Sequence, residues 1–289
     1  MWNQINLSKN MKLILTGDWH IRETKPVCRL DDYWQTQWEK IDWITDLAKK
    51  YNCPVLHSGD LFHHWKPSPY LLSMCIEHLP RYFFTVYGNH DLPQHSLSLA
   101  EKSGINVLAA SGRITVLEGT HFGEEPVTDS FKGILVWHVM TYKNELPFPG
   151  CEELSARAIL KKYPQYKLIL TGDNHVTFVQ ELKDRILINP GSIFRWTASQ
   201  IDHRPCVFLY DTEKHTYEQI FLPIAGPDVI SREHIDIIEK RNNRIDAFVS
   251  GLTTDMDMDI SFTKNLSRFY VKNKIDKNIR QIIQRFIEV

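Results

Sequence analysis

The chain has 289 residues, 43% of them hydrophobic and 24% charged, with a formal net charge of −1. That length suffices for a large core in one domain, or for one domain with a small appendage, and the composition is ordinary for a soluble globular protein. A net charge near zero gives no whole-molecule field for a polyanion, although it leaves room for a local basic face.

No apolar run approaches the ~20 residues needed to span a bilayer, so no membrane role is expected. Residues 1–12 are polar and lack the apolar centre of a signal peptide. Five cysteines are scattered without a Cys-x-x-Cys pair. They suggest reduced thiols and a cytoplasmic setting rather than a disulfide framework.

In chain order, residues 1–10 read as a loose leader and 11–16 as a first strand, closed by Asp18-Trp19-His20. The pair Asp31-Asp32 suits the positive end of a helix over 33–50, where Trp34, Trp38, Ile41, Ile44 and Leu47 fall at helical spacing. Those tryptophans read as core. A second strand leads through His57 to Gly59-Asp60, followed by a loop with His63 and His64 and a helix over 68–79 that Pro80 ends. The run 82–87 is a third buried strand. It enters Gly88-Asn89-His90-Asp91, where glycine is expected to allow a sharp turn.

Beyond it, 97–103 reads as a short helix and 107–108 and 114–117 as strands. A strand at 134–138 ends on His138. A loop over 141–151 carries three breakers, and a helix is expected over 152–163. The strand 168–171 leads to Gly172-Asp173-Asn174-His175. Then come a hairpin at 178–182 and 185–188, a turn at 189–192, and strands at 206–210 and 217–222. Helices and strands alternate early and strands dominate later, which fits two sheets packed face to face with outer helices.

Residues 223–227 read as a linker. A charged helical pattern covers 229–249, and 255–259 is an acidic spacer. From 261 to 289 seven Lys or Arg stand against two acids, a local charge of +5, with Ile275, Ile279, Ile282, Ile283 and Phe286 at helical spacing. The expected division is a catalytic domain at 1–222 and a helical accessory segment at 228–289.

Five apolar strands therefore each end in carboxylate, amide or imidazole groups. A mixed oxygen and nitrogen set suits Mn²⁺, Fe²⁺ or Zn²⁺ better than Mg²⁺ or Ca²⁺. It has too many members for one tetrahedral ion. Two ions about 3.5–4 Å apart would share a carboxylate and stabilise both attacking and leaving oxygens in phosphoryl transfer.

Asp18-x-His20, Gly59-Asp60, Gly88-Asn89-His90-Asp91, the lone His138 and Gly172-x-x-His175 resemble the five blocks of the calcineurin-like metallophosphoesterases. The resemblance spans roughly 11–222. In spacing and size it looks most like the SbcD-type DNA-repair nucleases and their phage relatives, which carry a Pro-Gly-Ser turn like Asn189-Pro190-Gly191-Ser192. It implies an α/β, four-layer metallophosphoesterase-type fold, two mixed sheets flanked by helices, with a C-terminal helical segment. It also implies that Asp18, His20, Asp60 and His175 hold one divalent metal, Asp60 bridges, and Asn89 and His138 hold a second. Mn is the first expectation, with Fe or Zn as alternatives. His90 would protonate the leaving oxygen or hold the phosphate, oriented by Asp91.

Asp173 stands where the family usually has histidine; it either ligates and hardens the site or faces away. Arg22 and Arg195 could each grip phosphate by a bidentate fork, or form surface salt bridges. Trp19 could stack on a base but suits packing better. His57, His63, His64 and His95 lie near enough in sequence to touch substrate.

The leading expectation is a nuclease, an exonuclease or endonuclease acting on DNA. It would work alone, as a homodimer or with an SbcC-like ATPase, in a bacterial or phage-infected cytoplasm. A hydrolase of small nucleotides or phosphomonoesters uses the same centre and is the rival. A non-catalytic binding scaffold is the third possibility, and intact Asp18, Asp60, Asn89 and His90 speak against it.

Overall fold

The computed structural model describes residues 11–118, 120–126, 130–147, 150–231, 233 and 262–287. The expected helix over 229–249 and the acidic spacer at 255–259 fall almost entirely outside them. One sheet has the order β10-β9-β1-β2-β3-β4, formed by Thr216–Phe221, Cys206–Asp211, Lys12–Thr16, Val55–His57, Phe83–Thr85 and Thr115–Val116. The other has the order β5-β6-β8-β7, formed by Ile134–Trp137, Leu168–Thr171, Arg185–Asn189 and Phe178–Leu182. Strands β1 to β4 run parallel, as do β5, β6 and β8, while β9, β10 and β7 pair antiparallel. The expected mixed α/β fold with two mixed sheets is what the chain adopts.

Side-chain alternation builds the layers. Leu13 and Leu15 of β1 enter a core between the sheets with Leu56, Val136, Leu168, Leu170 and Ile188. Ile14, on the other face, joins the core beneath α1 (Tyr33–Tyr51), α2 (Pro69–His78) and α3 (Gly104–Ala110). Leu135, Trp137, Ile169 and Leu187 point to the far side and pack on Ile159 and Leu160 of α4 (Ala156–Lys162). The order is helices, sheet, sheet, helix.

Each of α1 to α4 begins at a side-chain cap. Asp32, Ser68, Ser103 and Ser155 accept from the backbone N–H three residues on, at 3.1, 3.0, 3.2 and 3.3 Å. The cap at Ser103 explains one misreading: Val107 and Leu108, expected as a strand, lie inside α3. Similarly Ser155 starts α4 three residues after the expected onset had placed Glu152 and Glu153 in the helix. Trp19 and Trp38 are core residues. Trp19 donates to Thr16 Oγ1 at 2.8 Å and meets Phe83 edge-on, so it offers no face to a base.

The chain forms two compact units, Met1–Ser231 and Arg232–Val289. The first extends past the expected end at 222 because its last residues are tied back: Leu30 N–H donates to Val229 and Ser231 N–H to Cys28. In the second, helices Phe262–Lys272 and Lys277–Ile287 meet at a turn with Lys274 left-handed. Arg280 donates to the Ile275 and Tyr270 carbonyls at 2.7 and 3.2 Å. Ile279 and Ile282 remain 51% and 56% exposed. No helix among the described residues is long and apolar enough to cross a membrane. All five cysteines are free thiols.

One buried charge invites a stability test. Lys40 of α1 is 4% exposed and donates to the Ile193 carbonyl at 3.1 Å. Burial, with Arg29 and Arg195 nearby, pushes its pKa down to about 7. The folded state thus resists a proton the unfolded chain keeps up to the ordinary lysine value of 10.5. Stability should rise with pH between those values. Lys40→Met is expected to be more stable than wild type near neutral pH, with the advantage shrinking at higher pH. Urea unfolding at about pH 7 and about pH 9.5 checks this, and a variant less stable at both contradicts it.

Candidate metal centre

The parallel strands β1, β2, β3, β5 and β6 all deliver their C-terminal ends to one edge, where open α/β sheets place their chemistry. The loops stay zipped beyond the strands. Ser58 N–H donates to Thr16, Asp18 to Gly59, His20 to Asp60 and Ile21 to Leu61, at 2.8–3.1 Å. Two glycines permit the approach. A Cβ at Gly88 would stand 2.1 Å from Asp60 Oδ1, and one at Gly59 would stand 2.5 Å from His138 Nδ1. Gly88 was expected to serve a sharp turn. It has no positive φ among the backbone exceptions, so the requirement is space for Asp60.

Asp18, His20, Asp60 and Asp173 are all left-handed, with φ of 51°, 44°, 57° and 71°. Asp and His tolerate this region better than most residues, and four instances in one cluster show a constellation fixed by its surroundings. Asp18 accepts from Asp173 N–H at 3.0 Å through Oδ1. Asp60 Oδ1 accepts from His90 N–H at 2.9 Å. Asp60 Oδ2 lies 3.3 Å from His20 Nε2 and 3.5 Å from His138 Nε2, between the two imidazoles. His138 Nδ1 donates to the Ser58 carbonyl at 2.8 Å, which turns Nε2 toward Asp60, toward Asn89 Oδ1 at 3.0 Å and toward Asp173 Oδ1 at 3.9 Å. Asp173 therefore faces the cluster rather than away from it. Asp18, His20 and His175 bring one ligand atom each within 4.8 Å of one another, as do Asp18, Asp60 and His138.

The donor set fits divalent cations. Asp18 Oδ2, Asp60 Oδ2 and both ring nitrogens of His20 are buried with no hydrogen-bond partner among the described residues, a costly arrangement unless something else satisfies them. Burial raises the Asp18 pKa well above the carboxylate range, and the charges of Asp60 and Asp173 add to this. Asp173 is raised by burial too, against the pull of His138. Burial alone would raise Asp60, but His138 and His20 outweigh it and hold it low. Burial opposes protonation of His138, yet Asp60, Asp18 and Asp173 push its pKa up to about 10. The chain's own protons are thus concentrated where three carboxylates need positive charge. His20 is pushed well down by burial and His175 down to about 4, which leaves both as neutral ligands.

His90 donates from Nδ1 to the His63 carbonyl at 2.9 Å, and its ring lies 4.7 Å from that of His20. Asp91, expected to orient His90, does not bond its ring. Its buried carboxylate accepts from the N–H groups of Leu61, Phe62 and Gly88 at 3.3, 3.0 and 3.0 Å, and so ties the Asp60 loop to the Gly88 loop. Arg22 bonds Thr24 and lies near enough for its charge to act on His63, so it stays beside the site. Arg195, expected to grip phosphate or form a surface salt bridge, is 3% exposed and turned inward, with its terminal nitrogens donating to the carbonyls of Ile201, Ala225 and Gly226.

His57 is buried on Thr85 behind the site, and His95 bonds the Asn89 carbonyl at its rim. His64 points outward, against Trp65. His63, one of the four histidines expected within reach of substrate, forms a third close group with His20 and His90. Trp196 carries no sequence expectation. The Trp196 ring lies 4.1 Å from that of His20 and 4.7 Å from that of His175, anchored by its N–H on Ser192 Oγ at 2.7 Å. Its one sequence signal is its position four residues past Ser192.

A family model described as calcineurin-like phosphoesterase matches residues 11–251. A search of curated proteins finds no match. Among solved structures, a novel archaeal phosphodiesterase is 18% identical, with 73% of this chain and 100% of that one covered and a TM-score of 0.42. A metallophosphoesterase from Sphaerobacter thermophilus is 13% identical over 76% and 91% of the two chains, with a TM-score of 0.39. Vacuolar protein sorting 29 from Cryptosporidium parvum is 16% identical over 73% and 96%, with a TM-score of 0.36. At these identities and TM-scores the likenesses bear on neither substrate nor partner.

Proposed function

The chain belongs to the calcineurin-like phosphoesterases, and from that membership we propose that it is a two-metal phosphodiesterase that cleaves nucleic acid, with DNA as the first substrate and Mn²⁺ as the first metal. The reaction class of the family is phosphoester hydrolysis at divalent metals. The observation that supports the fuller reading is the convergence of unpartnered, buried Asp18, Asp60 and His20 atoms with His138, Asp173 and His175 at the C-terminal ends of strands from both sheets.

Asp18, His20 and His175 would hold one ion, and Asn89, His138 and Asp173 the other. Asp60, between His20 and His138, would be shared. When bound, the pair supplies a water acidified toward neutral pH and a clamp on the phosphoryl oxygens. The rest is the chain's own work. The Ser58 carbonyl takes the His138 Nδ1 proton, so Nε2 would be the atom that holds an ion. The His63 carbonyl holds His90 through Nδ1–H and leaves Nε2 to pass a proton to the leaving oxygen. Asp91 locks the two loops that carry Asp60 and His90.

The choice of nucleic acid rests on the block spacing and on the +5 charge of residues 261–289. That segment would follow a DNA backbone or dock a partner, an ATPase or a second copy, through a helix that exposes Ile279 and Ile282. A cytoplasmic setting goes with this reading.

The test incubates the protein with Mn²⁺ and either single-stranded DNA or a small phosphomonoester. DNA cleavage that chelator abolishes is expected. Turnover of the monoester alone would favour the small-molecule rival, and hydrolysis that survives exhaustive chelation would refute metal dependence. Asp173→Ala is expected to weaken one ion by about 10–100-fold while the other stays, and Asp173→His to restore it. Metal content after dialysis reads both, and two full ions in the alanine variant would show that Asp173 is no ligand.

A further inference from the structure

A groove of about 1200 Å³ opens beside the metal centre, and Asp173 and His175 form part of its wall. It exceeds the roughly 300–1,000 Å³ of an ordinary small-ligand pocket. Tyr142, Leu146, Val176 and Phe178 line it with apolar surface. Leu146 is 50% exposed, and Val176, the residue directly after His175, is 65% exposed. Thr197 and Gln200 add polar groups. Gln200 Oε1 accepts from the N–H groups of Trp196 and Thr197, at 2.9 and 3.2 Å, and so presents its amide nitrogen as a donor.

Charge says what the groove is not. Apart from the metal-site residues, its lining carries Lys143 against Glu145, with His203 as the one imidazole. A track for a phosphate backbone needs several cations in a row. A flat, neutral group with polar edges matches this lining better: aromatic and aliphatic side chains take its faces, and the amide and hydroxyl groups take its edge.

We propose that this groove is a nucleoside subsite, which receives the base and sugar on one side of the scissile phosphate while the phosphate lies at the Asp173–His175 edge. The inference rests on the phosphodiesterase reading for its substrate and adds the part of that substrate the groove selects. Tyr142 and Leu146 are the selecting side chains, since both line the groove and bond none of the metal-site residues described above. The apolar lining accepts any base, because every base has a stacking face.

Two measurements on the full chain test it. The first needs no metal: saturation-transfer NMR of thymidine against deoxyribose. Transfer to the thymine methyl and ring protons is expected with wild type and should be lost in Tyr142→Ala and in Leu146→Ser. The second compares, with Mn²⁺, kcat/KM for the 4-nitrophenyl ester of thymidine 5′-phosphate with that for bis(4-nitrophenyl) phosphate. A preference of about tenfold for the thymidine ester is expected, as one stacked base supports, and each variant should reduce it through KM. Leu146 is exposed enough that Leu146→Ser keeps the test open if Tyr142→Ala fails to fold. Hydrolysis of both diesters at equal efficiency, with no transfer to thymidine, overturns the subsite and leaves the phosphodiesterase reading intact. Transfer to thymidine with neither diester hydrolysed supports the subsite and overturns that reading.

Discussion

Asp60→Asn is expected to lower kcat/KM on a phosphodiester by about 10³-fold or more, roughly 4 kcal/mol of transition-state stabilisation. The substitution keeps the side-chain volume, and its amide oxygen can still accept from His90 N–H as Asp60 Oδ1 does at 2.9 Å. What it removes is the charge between His20 and His138, 3.3 and 3.5 Å away. If Asp60 is shared by two ions, both lose affinity together. The wild-type protein should gain thermal stability with Mn²⁺, by about 2.7 kcal/mol at a hundred times the dissociation constant, and the variant should gain little. Metal content, the Mn²⁺-induced shift in Tm and kcat/KM are three separate readouts. A variant that keeps two ions and activity within about tenfold of wild type would remove Asp60 from the centre of the mechanism.

His90→Asn should lose ~10²–10⁴-fold in kcat, the usual worth of positioned acid–base help, and keep both ions. Its ring touches the cluster only by contact with His20 at 4.7 Å and with His63 at 5.5 Å, and its Nδ1–H is spent on the His63 carbonyl. The size of the loss should depend on the leaving group. A sugar oxygen must take a proton as it leaves, whereas 4-nitrophenolate departs without one. The variant should therefore be impaired far more on a dinucleotide than on bis(4-nitrophenyl) phosphate. Equal loss on both would assign His90 to holding phosphate. Loss of an ion would make it a ligand, an outcome its closeness to His20 and His63 allows the experiment to reveal.

The order of the ligand blocks was legible in the sequence because each lies one to four residues past an apolar strand. Parallel strands bring those ends to one edge within each sheet, and the packing of the two sheets brings the edges together. The faces of β1 were legible for the same reason: alternation sends Leu13 and Leu15 one way and Ile14 the other. Helix onsets were less legible, since the caps at Ser103 and Ser155 outweighed the local propensities of Val107 and Glu152.

What only the tertiary structure decided is where side chains far apart in sequence spend their hydrogen bonds. Arg195 looks like a phosphate grip until burial and the carbonyls of Ala225 and Gly226, some thirty residues on, turn it inward. Asp91 looks like a partner for the histidine beside it until three backbone N–H groups claim its oxygens. Trp196 carries no motif at all, and becomes part of the site because the turn at Ser192 swings its ring onto His20 and His175. Residue types and their spacing determine which groups can bind a metal or move a proton. Which of them remain free to do so depends on long-range contacts, because a buried donor or acceptor must be satisfied and the nearest partner in space is seldom the nearest in sequence.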